Sequence, residues 1–142
     1  MKFYELSPEV AGEIGENSIV NYSVHPPIVK KLQYVLQGWL GDDLLESFPC
    51  YIVTERLKTL ISDNKLTGCR FDKVDIQPSE QFIQLYPNRN LPEFAWIIVN
   101  GKPHSDDFGI SEDYHLIVSG KALKVLKQAQ VLYCEVTELP SQ

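Results

Sequence analysis

From Lys2 to Leu6 (KFYEL) apolar and polar residues alternate closely enough to predict a short strand, which Ser7-Pro8 ends. Residues 9–27 hold Gly12, Gly15, Pro26 and Pro27 and read as mostly irregular. Ile28 to Gln37 (IVKKLQYVLQ) carries two periods: Leu32, Tyr34 and Leu36 alternate as a strand does, while Ile28, Leu32 and Val35 fit a helical face. The Pro-Pro entry and the β-favouring residues decide for strand. Gly38 and Gly41 then bracket Trp39-Leu40, and Asp42-Asp43 open a predicted helical turn through Ser47, acids suiting the positive end of a helix dipole.

The clearest pattern begins after Phe48-Pro49. Residues 50–53 (CYIV) predict a buried strand, Thr54 stands at an N-cap position, and Leu57, Leu60 and Ile61 lie on one side of a helix from Glu55 to Asp63. Asn64 to Gly68 stops that helix, and Cys69, Phe71, Val74 and Ile76 predict a second strand. Such a connection suits a crossover between parallel neighbours, although an α+β arrangement uses the same pieces. A similar unit closes the chain: strand 115–118 (HLIV), Ser119 as cap, a helix with Ala122, Leu123, Val125 and Leu126 inward, then a strand from Val131 to Leu139.

A constant offset of 65 residues superposes the two units, pairing Thr54 with Ser119, Ile61 with Leu126, Cys69 with Cys134 and Phe71 with Val136. Residues 50–76 and 115–139 are therefore a candidate internal repeat. Between them, Ser79 to Leu85 reads as a short helix and Phe94 to Val99 (FAWIIV) as a central strand buried on both faces. Asn100-Gly101 signals a turn, and the polar segment Lys102 to Tyr114 an exposed loop. No linker or low-complexity stretch divides the chain. The expectation is one domain over 1–142, α/β or α+β, with a mixed sheet and two similar strand-helix-strand units.

Composition narrows function more than fold. The 142 residues are 44% apolar and 23% charged, an ordinary globular balance. A net charge of −6 argues against direct nucleic-acid binding, which requires a basic surplus to neutralise phosphates. Neither a signal-peptide core nor an apolar span of membrane length is present, so a cytoplasmic protein without membrane contact is expected. Cys50, Cys69 and Cys134 form no CxxC pair and read as reduced, buried thiols.

The search for chemistry nominates no catalytic residue, metal ligand or cofactor. His104 lies near Asp106 and Asp107, but no HxH, HExxH or CxxC spacing accompanies it, and His115 opens a strand. No GxSxG elbow, SxxK or phosphate loop appears. Asp106, Asp107, Glu112 and Asp113 crowd into eight residues and fit a solvated face, an acid-base pair, a cation site or a patch for a basic partner. Trp39 beside Asp42 and Asp43 fits either core packing, the favoured reading, or a second candidate interface patch with those acids. Lys121, Lys124 and Lys127 form a weak basic stripe on the last helix.

At YIVTERLKTLISDNKLTGCRFDKVDI (51–76) and DDFGISEDYHLIVSGKALKVLKQ (106–128) the pattern resembles the repeated signature of immunity proteins from bacterial polymorphic-toxin and contact-dependent inhibition systems. There a hydrophobic pair with Ser or Thr, a basic amphipathic helix and "LTG" before an aromatic strand recur. YPNRNLPEFAWIIVNG (86–101) is similar to what such proteins carry between the two copies, and the likeness spans about residues 48–139. The second copy departs from it with Gly120 where Glu is usual.

The resemblance implies a non-enzymatic role in which the chain binds and neutralises one cognate toxin, with a cationic surface on the partner. Charge and exposure, not the family, select Asp106, Asp107, Glu112 and Asp113 as rim charges and Trp39, Asp42 and Asp43 as a second patch. The competing expectations are a small-molecule hydrolase or metal-dependent enzyme using His104 with Asp106 or Asp107, and a homo-oligomeric scaffold, with a homodimer possible in either case.

Overall fold

The computed structural model describes residues 2–140. Their elements follow in the order β1 (Phe3–Ser7), β2 (Gly12–Ile14), β3 (Ile19–Asn21), β4 (Ile28–Leu36), β5 (Leu44–Ser47), β6 (Cys50–Thr54), α1 (Glu55–Asp63), β7 (Cys69–Asp72), β8 (Val74–Pro78), α2 (Glu80–Leu85), β9 (Phe94–Val99), β10 (Phe108–Ile110), β11 (Leu116–Ser119), α3 (Gly120–Leu126) and β12 (Glu135–Glu138). The fold is α+β.

Local chemistry fixes the helix starts. Thr54, Ser79 and Ser119 each sit in extended backbone, and each hydroxyl accepts the N–H three residues on, from Leu57, Phe82 and Ala122. The spacing of Leu57 and Ile61 turns one face of α1 inward, and Ala122, Leu123, Val125 and Leu126 do the same for α3.

Three sheets carry the strands. The central one runs β5-β6-β9-β7, the second β10-β11-β1-β12, and the third β2-β4-β3 with β8 parallel to β4. Alternation along the central strands divides two cores. Leu44, Tyr51, Val53, Ala95 and Ile97 face the second sheet, α1 and α3, whereas Leu45, Cys50, Ile52, Phe94 and Trp96 face Leu32, Tyr34 and Leu36 of the third sheet and Phe82 of α2. FAWIIV is accordingly a central strand covered on both sides.

Each strand-helix-strand unit is split by an inserted strand. β6 and β7 both pair antiparallel with β9 and so run parallel to each other with β9 between; β11 and β12 stand in the same relation around β1. The strands joined by each helix are thus one place removed, not neighbours. The offset of 65 holds through these ladders: Val53 faces Ala95 and Val118 faces Tyr4, Phe71 faces Ile97 and Val136 faces Leu6.

Five expectations change. The segment Lys102 to Tyr114, expected to be an exposed loop, contains β10, paired with β11 and carrying Phe108 at 1% exposure. Asp42 to Ser47 is no helical turn, since Leu44 and Leu45 are consecutive and buried on opposite faces of β5, which only a strand permits. The strand read through Cys69 to Ile76 is two strands, β7 and β8, in different sheets. The last strand is confined to Glu135–Glu138 because residues 130–133 are drawn off to bind carboxylates. The segment 9–27, expected to be irregular, contributes β2 and β3 to the edges of β4.

Candidate functional site

The acids singled out by charge divide sharply by position. Asp42 and Asp43, read as a surface patch, are inside the protein at 0% and 4% exposure. A buried carboxylate needs hydrogen-bond donors to replace the water it has lost, and both have them. Asp42 accepts the N–H groups of Leu132 (2.9 Å) and Tyr133 (2.8 Å). Asp43 accepts the Thr54 hydroxyl (2.7 Å), the Gln130 N–H (2.7 Å) and the Arg56 guanidinium. They are clamps across the fold, not rim charges.

Asp107 repeats this role in the other unit. It accepts the Ser119 hydroxyl at 2.6 Å and the N–H of Thr67 at 2.9 Å. Burial alone would raise its pKa, but the Ser119 hydroxyl, the Thr67 N–H and hydroxyl, and the Lys121 charge hold it below 3.8. Each unit's aspartate therefore binds its own helix-capping residue and the loop after the other unit's helix. The neighbouring Asp106 accepts the Lys102 N–H at 2.7 Å and closes a loop turn.

Trp39, read as either a core residue or an aromatic anchor, is half-buried and packs against the second core. Its indole N–H donates to the Asp42 carbonyl (2.8 Å), its ring meets Phe94 edge-on at 5.7 Å, and the Arg89 guanidinium lies 4.7 Å above it. One further carboxylate is buried here: Glu9 accepts the Leu40 N–H at 2.8 Å through one oxygen, while its Oε1 has no partner. Burial raises its pKa above 4.5, with the Leu40 N–H partly offsetting.

His104 does not join Asp106 and Asp107 in a reactive group. Its ring stacks edge-on against Phe3 at 5.3 Å, and both aspartates are occupied by main-chain N–H groups. Among the described residues no group of three His, Cys, Asp or Glu side chains is placed to hold a metal ion, and no helix is long and apolar enough to cross a membrane. Burial pushes the Cys50 thiol up to about 12, away from the thiolate a nucleophile needs.

Glu112 and Asp113 alone of the six acids stay exposed, in the turn between β10 and β11. That turn is pinned by the Ser111 N–H on the His115 carbonyl (2.9 Å), the Tyr114 N–H on the Ser111 carbonyl (2.9 Å) and the His115 N–H on the Ser111 hydroxyl (3.1 Å). Tyr114 closes it with φ +65°, a left-handed conformation that a bulky residue seldom adopts.

This strained residue reaches an aromatic cluster that no sequence motif announces. The Tyr114 ring meets His25 edge-on at 5.1 Å and Phe48 at 6.3 Å, and His25 lies 6.1 Å from Phe48. All three are exposed, Phe48 at 45% and Tyr114 at 37%. Behind them opens a hollow of about 410 Å³, its walls mainly Pro26, Pro49, Cys50, Tyr51, Trp96 and Ile110. Beside Tyr51 lies Glu46, whose carboxyl is raised by burial and drawn down in part by His115 and by the Tyr51 hydroxyl. The hollow is mainly apolar, with Phe48 and Tyr114 in its wall, and Glu112 and Asp113 lie in the turn between Ser111 and Tyr114, both of which line it.

A scan against protein-family models gives no match for this chain, and a search of curated proteins gives none.

Proposed function

We propose that the chain is a non-enzymatic inhibitor of the immunity type, which neutralises a cationic partner protein by seating it on the aromatic mouth of this hollow. The observation that carries the reading is the joint placement of His25, Phe48 and Tyr114, from three distant segments, beside Glu112 and Asp113. A Lys or Arg side chain fits such a place from end to end. Its methylene stem lies along apolar walls, its charged head meets ring faces and carboxylates, and each part is matched in chemistry.

Two further facts support it. A net charge of −6 accelerates encounter with a basic surface, and tyrosine is enriched among the residues that carry interface binding energy. The likeness of residues 48–139 to toxin-immunity sequences supplies the kind of partner. The strained backbone at Tyr114 fits a residue held in place for contact with another molecule.

The test is co-expression with each protein encoded beside this chain, read as growth and as binding of the purified pair. Protection is expected from the native chain and its loss from Phe48→Ala with Tyr114→Ala. Glu112→Lys with Asp113→Lys should slow association and weaken its salt dependence. Absence of both binding and protection by the native chain would refute the proposal.

A further inference from the structure

Between α3 and the paired strands β1 and β12 runs one channel with two unlike ends. Its apolar half, about 330 Å³, is walled mainly by Leu6, Leu123, Leu126, Cys134 and Val136. Its other half is an open hollow of about 580 Å³ bordered by Tyr4, Leu123 and four lysines, Lys2, Lys121, Lys124 and Lys127. Leu123 and Lys127 line both halves and join them. The ladder gives the direction. Leu6 lies opposite Val136 at the apolar end and Tyr4 opposite Glu138 at the other, where the Gly120 N–H bonds the Lys2 carbonyl and brings the start of α3 alongside.

The charge of this end is particular to the second unit. At an offset of 65 the first unit is hollow too, by about 340 Å³, but there Glu55 and Asp72 line the space with Lys58 and Lys73 and the charges cancel. In the second unit Gly120 stands for Glu55, while Lys124 and Lys127 stand for Thr59 and Ser62. Lys2 is taken up by Glu138 at 3.3 Å, and the Lys121 charge acts on Asp107. Lys124 and Lys127 are in no ion pair among the described residues. A chain of net charge −6 thus keeps two uncompensated cations beside one apolar groove.

We propose that this channel binds a free medium-chain fatty acid, its alkyl tail between Leu6, Leu126 and Val136 and its carboxylate among Lys2, Lys121 and Lys124. Only a ligand with an apolar body and an anionic head is matched at both ends. A wholly apolar molecule leaves the lysines without a counter-charge, and a small inorganic anion leaves the groove empty. From Lys2 to Leu6 the channel follows four residues of extended chain, about 13 Å, which suits a tail of medium length. Glu138 is the one acid facing the head, and Lys2 neutralises it. The overall charge of −6 opposes approach to an anionic bilayer, which selects the free acid over a membrane lipid.

Calorimetric titration of the full chain with decanoate, kept below its aggregation concentration, tests this. Hexanoate shortens the tail, and decan-1-ol removes the charge. Decanoate should bind at least about tenfold more tightly than hexanoate, which lacks four methylenes, and at least about threefold more tightly than decan-1-ol. Lys121→Gln with Lys124→Gln should weaken decanoate about threefold or more and leave decan-1-ol unchanged. Val136→Asp should weaken both, and Lys58→Gln, at the matching place of the first unit, neither. Decanoate should move the amide signals of Leu123, Lys124 and Val136 in the nuclear magnetic resonance spectrum of the labelled protein. Absence of decanoate binding, equal affinity for decan-1-ol, or affinity that survives the paired lysine change overturns the proposal. So do equal weakening by Lys58→Gln and signal shifts confined to the hollow at Phe48 and Tyr114.

Discussion

Removing the Asp43 carboxylate tests whether the clamps, and not only the apolar cores, hold the two units together. In Asp43→Ala the Gln130 N–H and the Thr54 hydroxyl lose acceptors at 2.7 Å in a place that water scarcely reaches. Each stranded donor costs about 1–3 kcal/mol. Arg56 contributes little to the loss, because its side chain is 63% exposed and remains hydrated. The expected destabilisation is therefore about 3–4 kcal/mol, a large share of the roughly 7–20 kcal/mol available to a domain of this size. Asp107→Ala removes the equivalent bonds to Ser119 and Thr67 at a more open position, where water replaces much of what is lost, and should cost about 1–2 kcal/mol. Urea unfolding of both variants against the native chain measures the difference, with unchanged slopes as the check that the cooperative unit is the same. A cost below about 1 kcal/mol for Asp43→Ala, or equal costs for the two variants, would refute the reasoning from burial.

Glu9→Gln should raise stability at neutral pH. Burial lifts the folded carboxyl above 4.5, so its stabilising protonated form prevails at low pH and is lost as pH rises through the folded value. The native chain's stability advantage at acid pH should shrink in the variant, as thermal melts between pH 4 and 8 would report; parallel pH profiles would contradict it. Asp107→Asn acts with the opposite sign: its folded pKa is lowered, so the native chain holds stability above 3.8 that falls away on acidification, and the variant should flatten that acid limb of the melts. Two glycines separate backbone demands. Gly68 has φ +91° and an added Cβ would fall 2.1 Å from the Phe108 carbonyl oxygen, so Gly68→Ala should cost more than about 1 kcal/mol, whereas Gly120 opens α3 with no neighbour closer than 3.8 Å and Gly120→Ala should add about 0.5–1 kcal/mol in the same unfolding measurements.

What could be read from the chain follows the distance over which each signal acts. The α1 boundaries at Glu55 and Asp63 come from a cap and a 3-4 spacing contained within a dozen residues, and they are observed as expected. The segment Asp42 to Ser47 was legible only with knowledge of residues 130–133, whose N–H groups these acids bind; taken alone, two acids before a polar-apolar stretch look like a helix start. Likewise Asp107 looks like one more loop acid until Thr67 and Ser119 are brought beside it. Among the candidate surface acids, Glu112 and Asp113 keep the exposure expected of them because their turn is local. The aromatic mouth was not legible, since His25, Phe48 and Tyr114 belong to segments with no shared motif. The one local hint was that each lies at a turn, beside proline in two cases.

The insertion of β1 between β11 and β12 also orders events in time. The central sheet needs only residues 44–99, all contiguous, and can close while the remainder of the chain is still being made. The second sheet joins Phe3 to Ser119 and Ser7 to Glu135, so its middle strand is synthesised first and must wait longest for partners. Loop closure over such separations is slow, and an unpaired strand is open to wrong pairings meanwhile. Relocating residues 3–7 to follow β12 by circular permutation would give both halves the same order of elements and relieve that wait. A permuted chain that refolds faster while keeping the same ladder would show that the native order of the strands, rather than their final contacts, sets the pace of assembly.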